Sequence, residues 1–263
     1  MPQTIYNFYN GNVQLIFDEK KHAFFNNKTG EKIISVTEAL GMINKPLLIA
    51  WAVKKMRESL IEQRQSGKYI GIPEIIDASK IYQNIKKEAA DKGKIVHNWV
   101  ETYIKNKIAG VKKLIDDMPE DDQVTNGIMA FLQWERETKI KWVASERKIY
   151  SMKHDYAGIL DIKGMIGKHL HLVDIKTGNS IYNEMRFQTA AYQKADEEEL
   201  GEKYSDERWI IRLDKNTAEF EAKPFDECNE DFESFLSALQ LKKRDNKLSG
   251  KIKAVKPAIN LAY

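Results

Sequence analysis

Residues 158–178, GILDIKGMIGKHLHLVDIKTG, contain two apolar runs that each end in acidic and basic residues and are separated by a glycine-bounded segment. Strand-like composition on both sides of a short turn predicts an antiparallel pair of β-strands. With a period of two, Asp174 and Lys176 lie on one face of the second strand, and Ile175 points to the other. Antiparallel pairing then brings the carboxylate of Asp161 beside that of Asp174. The stretch therefore predicts a site with two acids and one amine.

The rest of the chain predicts a mixed α/β fold. Residues 4–36 are rich in β-branched and aromatic residues broken by turn signals, which is typical of a small antiparallel sheet or hairpin. Helices are predicted at 37–40, 46–65, from 73, 77–107 with an interruption at Gly93, 124–139, 182–200 and 229–247, and strands at 141–150, 156–163, 169–176, 207–213 and 217–223. This order favours a central mixed sheet flanked by helices over a doubly wound repeat.

The expected organisation is one compact body with two parts. Residues 1–76 form an N-terminal β-hairpin and helical extension, and residues 77–263 form the core. The length of 263 residues, with 42% hydrophobic residues, suffices for such a body.

Composition excludes few classes of function. The 42 Lys and Arg against 39 Asp and Glu give a net charge of +3, so no strong positive field indicates nucleic acid. The lone Cys228 argues against disulfides and structural zinc and favours a reducing, cytoplasmic location. We expect no signal peptide, because the N-terminus MPQTIYNFYN lacks a basic stretch followed by an apolar run. We also expect no membrane span, because no segment approaches the roughly 18 apolar residues that a span requires.

The predicted site suits phosphodiester chemistry. Two neighbouring carboxylates repel each other unless a cation joins them, and Mg²⁺ prefers carboxylate, water and phosphate oxygens. A nearby ammonium group can stabilise charge on phosphate or orient the attacking water. An isolated Asp-x-Lys is nevertheless common, and its usual role is a surface ion pair.

The motifs GILD, VDIKTG and QTAAY resemble the PD-(D/E)XK nuclease superfamily, and within it the RecB-like exonucleases. The resemblance implies a restriction-endonuclease-like core. It further implies that Asp161 and Asp174 bind Mg²⁺ or Mn²⁺, that Lys176 is the catalytic lysine, and that the backbone carbonyl of Ile175 completes the coordination. The specific motifs span roughly residues 90–195. Leu160 replaces the proline of the family name, which removes no ligand.

The resemblance adds four further residues. Gln188 and Tyr192 are one helical turn apart and correspond to the pair that borders the active site in the family. His97, in the pattern Gly-x-x-x-His, is the candidate third ligand, although an isolated helical histidine more often packs or faces solvent. An imidazole ligand favours tolerance of Mn²⁺. Glu146 occupies an acidic position upstream of Asp161, and pairing with Arg147 or Lys148 is the alternative.

Two less specific predictions concern the surroundings of this site. Glu101 follows His97 by one turn, and a solvated position is its expected one. Basic and aromatic residues that are candidates to follow a nucleic-acid backbone are Trp51, Lys54, Lys55, Arg57, Arg64, Lys105, Lys107, Lys112 and Lys113.

Three functions agree with these residues. The first is an Mg²⁺- or Mn²⁺-dependent DNA exonuclease for recombination, repair or phage DNA processing. The second is an endonuclease on the same core, and the third is a non-catalytic DNA-binding subunit of a recombination complex. Expected partners are DNA and either a second copy of the chain or a recombination protein.

Overall fold

The structure is a computed structural model, and it describes residues 4–111 and 118–249. The strands are β1 (Thr4–Phe8), β2 (Val13–Asp18), β3 (Ala23–Asn26), β4 (Lys32–Ile33), β5 (Lys141–Ser151), β6 (Tyr156–Ile166), β7 (His169–Lys176), β8 (Arg208–Leu213) and β9 (Phe220–Phe225). The helices are α1 (Val36–Leu40), α2 (Pro46–Gln65), α3 (Ile72–Ile108), α4 (Asp122–Thr138), α5 (Asn183–Leu200) and α6 (Cys228–Ser249). Among these helices, none combines the length and hydrophobicity that crossing a bilayer requires.

The N-terminal strands form a small antiparallel sheet in the order β1-β2-β3-β4. Its apolar face is buried against the larger sheet, because Phe8 and Phe17 pack in one cluster with Tyr150 and Ala157 of that sheet. The Tyr9 hydroxyl also donates to the backbone oxygen of Tyr150, at 3.0 Å. The small sheet is therefore fixed against the β5–β6 hairpin.

The larger sheet has the order β5-β6-β7-β8-β9. All neighbouring strands are antiparallel except β7 and β8, which are parallel and joined through α5. A meander followed by a helical crossover is the predicted topology. The predicted class, a mixed α/β core with a central mixed sheet flanked by helices, is confirmed.

Apolar clusters lie on both faces of the larger sheet. On one face, α3 and α4 bury residues such as Val96 and Phe131 against Val173 and Ile175 of β7. On the other face, α1, α5 and α6 pack against residues such as Leu172. The strands are thus buried between two helical layers, which fixes the direction of each side chain along β7.

Helix α3 differs from the prediction in two ways. It runs without interruption from Ile72 to Ile108, so the separate helix expected from residue 73 and the break at Gly93 are both wrong. One glycine costs a helix only about 1 kcal/mol relative to alanine, and tertiary packing offsets such a cost. The expected boundary between residues 76 and 77 lies inside α3, which therefore belongs to both parts of the chain.

Helix α2 packs on α3, with Trp51 edge-on to Tyr82. Several apolar side chains of this helix pair remain exposed, among them Leu47 and Ile72. The basic residues predicted to follow a nucleic-acid backbone are dispersed: Lys54 and Lys55 pair with Glu58 on α2, Lys105 pairs with Glu101, and Lys107 pairs with Glu135. Lys112, Lys113 and the acidic residues Asp116 and Asp117 lie outside the described residues.

Candidate active site

Strand β7 carries the central acid and the lysine. Asp174 is fully buried, and Lys176 Nζ forms an ion pair with its Oδ2. Neither carboxylate oxygen of Asp174 accepts a hydrogen bond of regular geometry from the described residues. Burial raises the pKa of Asp174 to about 6, against the opposing effect of the Lys176 charge. A buried carboxylate with unused lone pairs is a costly arrangement that is typical of a ligand-binding group.

Asp161 lies inside β6, which continues to Ile166 and is longer than predicted. Its Oδ2 accepts a hydrogen bond from the backbone N–H of Ile175 at 2.9 Å. The regular β6–β7 pairing ends at Ile162 opposite Val173, so Asp161 is the first residue of β6 beyond the paired segment. The side chain of Asp161 therefore replaces a ladder hydrogen bond where the two strands begin to separate, and this separation leaves room for a site between them.

At this same point in β6, the side chains change from one face of the sheet to the other. Leu160 and Ile162 have the same parity, yet Leu160 packs in the cluster on the α5 side and Ile162 in the cluster on the α3 side. Opposite Asp161 in the β5–β6 register, Glu146 has a φ of 52°. Such a left-handed conformation costs a non-glycine residue on the order of 1–3 kcal/mol and is found preferentially at functional sites.

The distortion turns Glu146 toward Asp161 instead of toward solvent. Burial and the neighbouring Asp161 charge raise the pKa of the Glu146 carboxyl to about 8. The predicted alternative, an ion pair with Arg147 or Lys148, does not occur among the described residues. Arg147 pairs with Asp196 and Glu199, and Lys148 donates to the backbone oxygen of Glu146. Glu146 therefore belongs to the acidic group around Asp161.

His97 reaches the site from α3. Its Nδ1 lies 3.7 Å from Asp161 Oδ2. The ring also has a hydrogen-bonding interaction with the backbone of Ile175. Burial, with a smaller effect of the Lys176 charge, lowers the pKa of His97 to about 4. The imidazole is therefore neutral near pH 7 and keeps a lone pair for a cation.

Gly93 explains how α3 comes so close. A Cβ built on Gly93 would lie 2.5 Å from Oγ1 of Thr177, the residue that follows β7. A side chain at this position would force either Thr177 or the helix to shift. The glycine one turn before His97 therefore permits the close packing of α3 on the end of β7.

Three ligand-type side chains converge on one point. Donor atoms of His97, Glu146 and Asp161 all lie within 4.8 Å of one another. Asp174, also predicted as a ligand, is not part of this trio, but its carboxylate, which is paired with Lys176, interacts electrostatically with both Asp161 and His97. Two or three carboxylates with one neutral imidazole fit a divalent ion such as Mn²⁺ or Mg²⁺.

Gln188 and Tyr192 border the site from α5. The amide of Gln188 donates to the Tyr192 hydroxyl at 2.8 Å, and the tyrosine ring is buried. Burial, then the charges of Asp174 and Asp161, raise the pKa of Tyr192, so it remains a neutral donor. Gly158 makes room for this ring, since a Cβ there would lie 2.6 Å from Tyr192 Cε1. Sequence patterning alone gave no indication of this contact.

Glu101 is not among the three converging side chains. It pairs with Lys105 one turn further along α3, as expected for a partly solvated residue. Its charge nevertheless contributes to the raised pKa of Glu146 after burial and Asp161, so it lies at the rim of the site.

The metal-free protein is expected to lose stability as the pH rises from about 6.5 to 8. The folded-state pKa of Glu146, about 8, exceeds its ordinary value of 4.5, so folding favours the protonated carboxyl and the benefit disappears as the pH rises through 8. His97 acts in the opposite direction, but only between about 4 and its ordinary value of 6.5. Thermal unfolding in EDTA across this window measures the effect.

Glu146→Gln is the matched control for that measurement, since glutamine cannot titrate. Its unfolding temperature should change less with pH over the same window than that of the wild type. A wild-type unfolding temperature that rises between pH 6.5 and 8 would contradict the assignment of Glu146 as a buried, protonated acid.

No family model and no curated protein matches the sequence. Among solved structures, the chain is similar to an alkaline exonuclease from Laribacter hongkongensis, with 13% identical residues and a TM-score of 0.30. The alignment covers 59% of this chain and 86% of that chain. A similarity of this degree adds no weight to a functional assignment, so the function is inferred below from the geometry of the site.

Proposed function

We propose that the protein is a divalent-metal-dependent nuclease that hydrolyses phosphodiester bonds of DNA, acting as an exonuclease. The observation that carries the proposal is the convergence of His97, Glu146 and Asp161 next to a buried ion pair of Asp174 and Lys176. A surface ion pair would be exposed to solvent, and a purely structural buried pair would not leave Oδ1 of Asp174 without a hydrogen bond.

The chain's own residues divide the work of holding an ion. Asp161, Glu146 and the neutral imidazole of His97 supply one donor each, and the carboxylate of Asp174 and the backbone carbonyl of Ile175 are the further candidates. A bound Mg²⁺ or Mn²⁺ would supply charge neutralisation at the scissile phosphate and lower the pKa of a nearby water.

Lys176 acts as a cation in this scheme. Burial works against its charge, but Asp174 and Asp161 outweigh burial, and the pKa of the ammonium group is raised. A lysine that holds its proton this firmly is a poor base. We therefore assign it to stabilising the negative charge that builds on the phosphate oxygens as water attacks phosphorus and the bond to the leaving sugar oxygen breaks.

Gln188 and Tyr192 position the acidic groups. Burial keeps the Tyr192 hydroxyl neutral and Gln188 donates to it, and we assign this hydroxyl to donating toward the carboxylates whose charges raise its pKa. Preference for DNA, and a role in recombination, repair or phage DNA processing, are expectations from the resemblance to RecB-like nucleases.

Substrate form separates the exonuclease from its two alternatives. Purified protein is incubated with end-labelled linear duplex, single-stranded and covalently closed circular DNA, each with Mg²⁺, Mn²⁺ or EDTA. The exonuclease releases short labelled products from linear DNA and leaves the closed circle intact. Nicking of the circle identifies an endonuclease instead, and binding without turnover in either metal identifies a DNA-binding subunit.

A further inference from the structure

A small cavity lies between the N-terminal sheet and the candidate active site. It has a volume of about 270 Å³ and is bounded by β1, β5, α3 and α5. Glu146 forms part of its lining and also belongs to the group of His97, Glu146 and Asp161, so the cavity adjoins the candidate metal site directly. The lining also includes Tyr6, Lys105 and Lys148.

Lys148 is unusual among the charged residues of this cavity. Its ammonium group lies 5.8 Å from the ring centre of Tyr6 and 5.5 Å from that of Phe17. It also donates to the backbone oxygen of Glu146 at 3.3 Å. In the described parts of the chain it forms no ion pair with a carboxylate, so its charge is held in place by two aromatic faces and one carbonyl.

The neighbouring charges are already neutralised within the protein. Arg147 pairs with Glu199, and Lys105 pairs with Glu101. Two charged groups of the lining remain. The Glu146 carboxylate belongs to the candidate metal site, where a bound cation would neutralise it, and the Lys148 cation has no paired carboxylate among the described residues. Aromatic rings fix the position of a cation but do not cancel its charge, which leaves it free to bind an anion.

We infer that this cavity binds the backbone phosphate adjacent to the scissile phosphate of the DNA, with Lys148 as the phosphate-binding residue. The inference rests on the proposed function, and it identifies the substrate-binding surface of that same site. The half-buried Tyr6 then lies beside the sugar or base attached to that phosphate, where an aromatic ring can stack. The N-terminal sheet thereby contributes to substrate binding and not only to stability.

The alternative is a structural lysine that joins the N-terminal sheet to β5 through its contacts with Tyr6 and Phe17. The two roles respond differently to substitution and to salt. A phosphate contact releases counterions, so log Kobs falls as log salt rises. Loss of one contact makes this fall shallower, by about 0.9 in the slope for duplex DNA. Loss of a structural contact lowers stability and leaves that slope unchanged.

The experiment compares the wild type with Lys148→Gln, Lys148→Arg and Lys21→Gln. Lys21 is the matched control, because it also lies over a ring of the N-terminal sheet, 5.5 Å from the centre of Phe25, but does not line the cavity. Binding of fluorescently labelled linear duplex DNA is measured in EDTA by anisotropy between about 50 and 200 mM salt. Cleavage by the same samples is measured with Mn²⁺, and unfolding temperatures are recorded.

For Lys148→Gln we expect binding about tenfold weaker at low salt, because a charge-assisted contact is lost, and a salt slope lower by about 0.9. Lys148→Arg should recover most of the affinity, and Lys21→Gln should match the wild type. Wild-type affinity and slope in Lys148→Gln would overturn the inference, as would a loss of affinity with an unchanged slope and a lowered unfolding temperature. Absence of wild-type cleavage in Mn²⁺ would count against the proposed nuclease instead.

Discussion

Replacing Asp174 with asparagine is expected to lower metal-dependent DNA cleavage by about 10³-fold or more, because the acid next to the metal site supports several kcal/mol of charge stabilisation. The same change should not lower the unfolding temperature in EDTA. At neutral pH the buried carboxylate, whose pKa is raised to about 6, is held in its charged form at a cost to folding, and asparagine removes that cost. Lys176 keeps Asp161 as a charged neighbour.

Two measurements on the same preparation test this prediction: the initial cleavage rate in Mn²⁺ and thermal unfolding in EDTA. Asp226→Asn is the matched control, since this exposed aspartate lies outside the site and should keep both values. Retention of more than about a tenth of the wild-type rate in Asp174→Asn would contradict a catalytic role. A large fall in its unfolding temperature would instead assign Asp174 to the stability of β7.

The largest expected effect on stability belongs to Asp231→Asn. Asp231 pairs with Arg208, which is fully buried at the start of β8. Arg208 also donates to Thr189 of α5, so the pair joins β8, α5 and α6. Removing one member of a buried pair leaves the other charge without compensation and costs about 3–5 kcal/mol.

Urea unfolding of Asp231→Asn measures that loss of free energy directly. Asp245→Asn, on the same helix, removes an aspartate whose partner Lys242 is on the surface, and should change the free energy of unfolding by less than about 0.5 kcal/mol. A loss below about 1 kcal/mol in Asp231→Asn would mean that Arg208 finds another partner or is hydrated in the folded protein.

Much of the fold followed from local patterning. The alternation in residues 169–176 predicted the bounds of β7. The order of helices and strands predicted a meander followed by a crossover, and the parallel pairing of β7 with β8 agrees with it. These features depend on contacts between neighbouring strands, which short-range periodicity describes well.

The continuity of α3 could not be predicted in the same way. A glycine in a helical pattern usually marks an end or a weak point. Gly93 instead lies inside the helix, where its missing side chain leaves room for Thr177, a residue distant in sequence. This long-range contact has no local signal in the sequence.

The candidate site was predicted in part for a similar reason. Strand parity correctly placed Asp174 and Lys176 on one face. The regular alternation of side chains is interrupted at Glu146 and Asp161. There the side chains of β6 change faces of the sheet, and Glu146 adopts a positive φ. The distortion that brings Glu146 and Asp161 together with His97 has no local signal in the sequence. The contact of Lys148 with Tyr6, more than a hundred residues away in the chain, has none either.

The central claim is that His97, Glu146 and Asp161 form a metal-dependent phosphodiesterase site with Asp174 and Lys176. The most direct measurement is the rate at which end-labelled linear duplex DNA is cleaved in Mn²⁺ by the wild type and by Lys176→Ala purified in parallel. We predict cleavage by the wild type that EDTA abolishes and that is absent in Lys176→Ala, with both proteins folded. Equal cleavage by the two proteins, or no cleavage by the wild type on any DNA form in either metal, would contradict it.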